Sequence, residues 1–154
     1  MLARTRKTGF TLVEILIVVI ILGILAAIVI PQFTNASQDA RESSLLSQLQ
    51  TLRSQIELYK LQHMDKLPDL VTNWNPLTTK TDSSGAASAA PDAFGPYMQS
   101  APTNPVNTLG NVTNGDSALL AAAVECGFIY DYNGGAGTGR IWGTQADKKT
   151  KFPE

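Results

Sequence analysis

The stretch RTRKTGFTLVEILIVVIILGILAAIVIPQF, Arg4 to Phe33, decides how the rest of the chain is read. Arg4, Arg6 and Lys7 lead into an apolar run. Ile15 to Ile30 is 16 residues without a charge, and from Phe10 to Ile30 Glu14 is the only charge in 21 residues. At about 1.5 Å per residue the run makes a helix of roughly 30 Å, the thickness of a bilayer core. The basic flank stays cytoplasmic by the positive-inside rule, and the remainder of the chain lies on the other side. Glu14 is the anomaly. A carboxylate at the centre of a bilayer costs about 2.5–3.5 kcal/mol on insertion scales, somewhat less near its edge.

Three readings fit a basic flank followed by an apolar helix. A cleaved secretory signal would end near the small residues Ala26 and Ala27, but the apolar run continues to Ile30. A plain membrane anchor accounts for the length and the flank, and leaves Glu14 unexplained. In the third reading the cut falls ahead of the helix. Lys7-Thr8-Gly9-Phe10-Thr11-Leu12-Val13-Glu14 resembles the cleavage motif of type IV prepilins and pseudopilins. The resemblance implies cleavage by a prepilin peptidase between Gly9 and Phe10, N-methylation of Phe10 and retention of the apolar helix. It also implies that Glu14 sets the register of assembly by meeting the Phe10 amine of a neighbouring subunit. A buried carboxylate wants a buried cation, and cleavage makes one. The sequence alone equally permits a contact within one chain, because residues four apart share a helix face. Removing the leader leaves 9 basic and 13 acidic residues, a net charge of −4.

The remaining composition excludes more than it assigns. The chain has 154 residues, 44% apolar and 16% charged, with a net charge of −1, so no nucleic-acid footprint is indicated. One Cys, Cys126, cannot form an internal disulfide, and one His with one Cys makes no zinc site. The same counts supply no recognisable catalytic set for a membrane-anchored enzyme or sensor.

Beyond the apolar run, Gly23 weakens the helix and Pro31 is expected to kink or loosen it. Helical character then resumes: Leu45, Leu49, Leu52, Ile56 and Tyr59 recur at spacings of four and three. Phe10 to about Gln62 therefore reads as one interrupted helix of roughly 80 Å, apolar first and amphipathic second. The stripe is short for a coiled coil, which favours docking on a small sheet. His63 is expected at the surface or as a cap, and Pro68 marks the exit. Thr78–Ala90 reads as a flexible loop, with Trp74 pinning its start to the core. Phe94–Asn107, with three prolines, reads as a tight ordered loop. Asp116–Cys126 could form a short helix. Phe128–Tyr132 and Arg140–Thr144 read as a hairpin around the glycine-rich Asn133–Gly139, and Lys148–Glu154 as a frayed tail.

The expected fold is α+β: a long N-terminal helix packed on a small antiparallel sheet. The expected divisions are a leader at 1–9, a membrane and filament-core helix at 10–33, its amphipathic half at 34–67 and a loop and sheet region at 68–154. The later pattern LPDL…W…GPYM…P.NP…GFIYDYNGGAGTGRIWGT is similar to the major pseudopilins of type II secretion. Pilins of the disulfide type close a C-terminal loop with two cysteines, which Cys126 alone cannot do. The resemblance implies a structural subunit held in the bacterial inner membrane with its C-terminal domain periplasmic. Its implied partners are further copies of itself in a helical polymer, the peptidase, an inner-membrane platform with its ATPase, and minor pilins or pseudopilins. Gly23, Ala26 and Ala27 would let neighbouring helices approach closely. A type IV pilin, major or minor, is the alternative. Pseudopilins usually carry an Asp-Pro-Trp-Gly turn and an acidic loop that holds calcium. Here the turn is Asn104-Pro105-Val106-Asn107 and the loop Asn133–Gly139 has no carboxylate, so no cofactor is expected.

Overall fold

The computed structural model describes residues 9–116, 118, 122 and 124–153. They form two compact units, Met1–Asp39 and Ala40–Glu154. Helix α1, Leu12–Gln62, contributes to both. Its apolar first part passes the length and composition test for a membrane-crossing helix. In the first unit every described side chain of α1 is exposed, from Leu12 at 81% through Ile21 at 50% to Phe33 at 72%. Large apolar side chains are thus uncovered on all faces, as befits a helix whose surroundings are lipid or other helices.

Pro31 sits inside α1 without ending it, where an interruption is expected from sequence. A proline removes one intrahelical donor, but the turns on either side keep theirs. The Thr34 hydroxyl donates to the Ile30 carbonyl at 3.1 Å within the same stretch.

In the second unit the amphipathic stripe is buried as its spacing predicts. Leu45, Leu52 and Ile56 are fully buried, with Leu49 and Tyr59 nearly so. They pack with Phe128, Tyr130 and Ile141 of the sheet, and with Leu70, Trp74 and Leu77 from the segment after the helix. Strands β1, Val112–Asn114, β2, Phe128–Tyr130, and β3, Ile141–Gly143, make a sheet in that order. β2 and β3 form the expected antiparallel hairpin, with Ile129 opposite Trp142. β1, however, runs parallel to β2, so the sheet is mixed rather than antiparallel. Residues 115–127 connect the two strands. A parallel pair needs a connection of about that length, a dozen residues or more. The sheet has two covered faces. Phe128 and Tyr130 face the main core, while Ile129 and Trp142 form a second cluster with Ala122 and Cys126.

α1 ends at Gln62, where the sequence reading places the end of the helix, and Met64 and Asp65 then turn into the left-handed region at φ 55° and 60°. Further expectations are corrected. His63 is fully buried, not at the surface. Its ring stacks on Tyr59 at 3.8 Å, and its nitrogens lie 2.8 Å from the Tyr59 carbonyl and 3.0 Å from the Thr81 hydroxyl. A carbonyl only accepts, so Nδ1 donates there. This contact ties down Thr78–Ala90, which is built rather than loose. Thr81 bridges to Ala87 and Phe94, and the Asp82 carboxylate accepts from the Ser84 and Ala86 amides.

The tail is also ordered. Lys151 bridges to Thr144, the Phe152 amide donates to the Gly143 carbonyl at 2.8 Å, and the Phe152 ring enters the main core. Trp74 does pin its segment, by donating to the Gly110 carbonyl at 2.7 Å and setting its ring edge-on to Phe128. Five of the eleven residues of the expected helix at Asp116–Cys126 lie outside the described residues.

Candidate cleavage and assembly site

The residues singled out at the N-terminus lie on one short stretch. Gly9, Phe10 and Thr11 precede the first turn of α1 and are exposed, Phe10 at 85%. A side chain added at Gly9 would meet nothing within 4 Å. Among the described residues nothing packs against Gly9 on the side where a Cβ would point. Met1–Thr8, the rest of the expected leader, lie outside the described residues.

Glu14 has partners within its own chain. Its Oε2 accepts from the Thr11 amide and from the Thr11 hydroxyl, both at 2.8 Å. The Glu14 amide donates back to the Thr11 hydroxyl at 3.3 Å. This is a capping box, in which an N-cap threonine and a glutamate three residues on satisfy each other's backbone donors. The signature Thr-x-x-Glu stands in Thr11-Leu12-Val13-Glu14, and that spacing alone signals the cap. The capping box fixes the rotamer of the carboxylate and holds it at the very start of the helix, four residues from Phe10. The Phe10 nitrogen is an amide in the uncleaved chain and becomes an amine only on cutting.

Gly23 lies in the middle of the exposed apolar part of α1, and a Cβ there would meet nothing within 4 Å. It leaves a shallow notch in the helix surface, with Pro31 eight residues further on.

In the second unit, the Asn104–Asn107 turn stands where the resemblance leads one to look for Asp-Pro-Trp-Gly. Both asparagines are buried. Asn104 Nδ2 donates to the Gly127 and Thr144 carbonyls, each at 2.8 Å. Asn107 Nδ2 donates to the Thr144 hydroxyl at 2.7 Å and the Gln145 carbonyl at 3.1 Å. The turn thus ties the starts of β2 and of the tail together through amide side chains. Arg53 reaches from α1 to the Ile141 carbonyl, its Nη2 at 2.9 Å. Neither Arg53 nor Thr144 was identified from sequence, because their partners lie 88 and about 40 residues away.

The hairpin loop is closed by Asp131, whose Oδ2 accepts from the Thr138 amide at 3.0 Å and from its hydroxyl at 2.6 Å. Asn114, Gly115, Asp116 and Asn133 line a cleft beside it. Among the described residues no group of three or more His, Cys, Asp or Glu side chains converges.

Residues 4–30 match the family described as Prokaryotic N-terminal methylation motif. The chain is 40% identical over 58 residues to Type II secretion system core protein G of Dickeya chrysanthemi, covering 38% of each chain. It is 38% identical over 60 residues to the protein of that name from Pseudomonas aeruginosa, covering 39% of this chain and 42% of the other. A longer match, 28% over 102 residues, relates it to the Aeromonas hydrophila protein, covering 66% of this chain and 69% of that one. The match thus spans about two fifths of the length of the first two relatives. No solved structure matches the chain at a significant level.

Proposed function

We propose, starting from a chain that belongs to the type IV pilin and type II secretion pseudopilin family, that it is the repeated structural subunit of a secretion pseudopilus. The observation that carries this is the position of the Gly9-Phe10 step. Gly9-Phe10 lies immediately ahead of an apolar helix exposed on every face, so cutting there keeps the helix in the mature protein. The subunit waits in the inner membrane with its folded unit outside, and is then withdrawn into a filament of its own copies. The implied partners are a prepilin peptidase that cuts after Gly9, an enzyme that methylates the Phe10 nitrogen, the assembly platform with its ATPase, and minor pseudopilins. Similarity to core protein G favours a secretion pseudopilus over a type IV pilus.

In this reading Glu14 has two successive duties. Before cutting, it caps its own helix through Thr11. After cutting, its carboxylate stands ready for the new Phe10 amine of an incoming subunit and sets the axial register. Gly23 gives room for a neighbouring helix, and Pro31 leaves a carbonyl without its usual donor where the helix can yield during withdrawal. Calcium does not fit the residues at the hairpin: the Asp131 carboxylate already holds Thr138, and the loop that follows has no carboxylate. A hard cation of this kind takes about 6–8 oxygens.

The test is Glu14→Val in the full chain, with an immunoblot of membranes, mass spectrometry and electron microscopy of sheared filaments. The expected result is normal loss of Met1–Gly9 with no ordered filaments. Leaving one buried charge without its partner costs about 3–5 kcal/mol, enough to stop addition of a subunit. Normal filaments from well-expressed Glu14→Val protein would refute the register role. A mature chain beginning beyond Ile30 would refute the subunit reading.

A further inference from the structure

We infer that Asn133 is a site of spontaneous covalent modification: its side-chain amide is converted in water to a carboxylate, by way of a ring closed with the Gly134 nitrogen, and the fold withholds the same reaction from Asn114. Asn114-Gly115 and Asn133-Gly134 are the two places in the chain where glycine follows asparagine. Glycine lacks the Cβ that would crowd a nitrogen turning back on the preceding side chain. Both asparagines are exposed, so solvent reaches each of them. What separates them is the state of the nitrogen that must attack. The Gly115 amide is bound into the sheet, donating to the Tyr130 carbonyl at 3.1 Å. The Asn114 carboxamide is engaged as well, its Oδ1 accepting from the Tyr132 and Asn133 amides at 3.2 and 3.0 Å. The Gly134 amide has no acceptor among the described residues, and the Asn133 carboxamide has no partner among them. One bond braces the turn there, from the Ala136 amide to the Asn133 carbonyl at 3.2 Å. Attack at Asn114 thus has to break two more hydrogen bonds than attack at Asn133. At about fivefold in population for each, the two sites differ roughly 25-fold in rate.

The step balances with water alone. The Gly134 nitrogen gives its proton to a solvent base and bonds to the side-chain carbonyl carbon of Asn133, and ammonia leaves. The resulting cyclic imide then takes up one water. Opening at the side-chain carbonyl gives aspartate. Opening at the main-chain carbonyl gives isoaspartate, in which the chain runs through the former side chain. One water enters, one ammonia leaves, and nothing is oxidised or reduced. Either product sets a carboxylate in a cleft that Asp116 and Asp131 already line, where like charges repel. Isoaspartate also adds an atom to the main chain between residue 133 and Gly134. The turn there is short, closed by the Gly135 amide on the Tyr132 carbonyl at 2.8 Å, and has no slack to absorb it. The modified chain therefore keeps β2 and β3 and carries a looser loop between them.

The experiment keeps the full chain folded in detergent, in neutral and in mildly alkaline buffer, and samples it over time. Trypsin releases both sites in one peptide, residues 81–140, because no Lys or Arg lies between Lys80 and Arg140. Electron-transfer fragmentation of that peptide locates the mass gain of an amide turned acid and separates aspartate from isoaspartate. The expected result is conversion at Asn133 to both products, faster at the higher pH, with Asn114 behind by roughly 25-fold. The same chain unfolded in urea has nothing to shield Asn114 and is expected to convert both sites at comparable rates. Equal rates in the folded chain, conversion at Asn114 first, an intact Asn133 after prolonged incubation, or a gap that persists in urea would each overturn the inference.

Discussion

Leu52→Ala is expected to destabilise the Ala40–Glu154 unit more than any single truncation on the exposed face of the same helix. Leu52 is fully buried, and its core neighbours include Leu49, Ile56, Phe128 and Tyr130. Losing three carbons at about 0.8 kcal/mol each removes roughly 2.4 kcal/mol of transfer free energy. The helix is held by buried side chains on both sides of the site, so it cannot move in to fill the space. The cavity then brings the total to about 3–5 kcal/mol, the upper part of the range for such changes. The unit has 154 − 39 = 115 residues. For a unit of that size each kcal/mol moves the melting temperature by about 4 °C, giving a drop of roughly 12–20 °C. Trp74 and Trp142 both lie in this unit, so fluorescence of the full chain in detergent reports its unfolding. Leu61→Ala is the control, expected to stay within about 0.5 kcal/mol because its side chain is exposed. Equal melting temperatures for Leu52→Ala and the parent would show that the stripe does not pack on the sheet.

Thr11→Val removes two of the three bonds of the capping box and should weaken the first turn by about 0.5–2 kcal/mol. Faster amide exchange at Leu12–Ile15 in detergent is the readout, and unchanged exchange would refute the cap. Gly127→Ala would drive a methyl group into the Leu109 carbonyl and should cost about 3 kcal/mol or more, leaving little folded protein at ordinary growth temperature. Calcium at millimolar concentration should leave the melting temperature unchanged; a rise of many degrees would show that Asp131 can exchange Thr138 for a cation. Burial, with smaller effects from Tyr97, Tyr132 and Asp82, pushes the Tyr59 phenol from its ordinary 10.0 up to about 12, and burial raises Tyr130 as well. A raised folded value means the stabilisation is complete below pH 10 and is lost as pH rises towards 12. A melting temperature that stays flat across that window would contradict it.

What could be read from sequence was whatever rests on local periodicity. The stripe from Leu45 to Tyr59 repeats at helical spacing over four turns, and β2 with β3 is bounded by glycines. Both therefore announce themselves. β1 is only Val-Thr-Asn, too short to show a period, and its direction depends on a crossover rather than on its own residues. His63 became buried because Thr81, Phe94 and Tyr97, far along the chain, close over it, and no pattern around residue 63 encodes that. Phe152 was hidden in the same way by the polar residues around it. At the N-terminus, the junction at Gly9-Phe10 was legible as a motif. The local meaning of Glu14, a helix cap, is legible too, in the spacing Thr-x-x-Glu within the same residues that carry the resemblance.

The ring of Phe152 covers one side of the core, and the Lys148 and Lys149 carbonyls accept from the Cys126 and Ala122 amides. A chain cut before Lys148 keeps the residues of all three strands yet loses that cover, so this polar segment acts as a latch on the sheet.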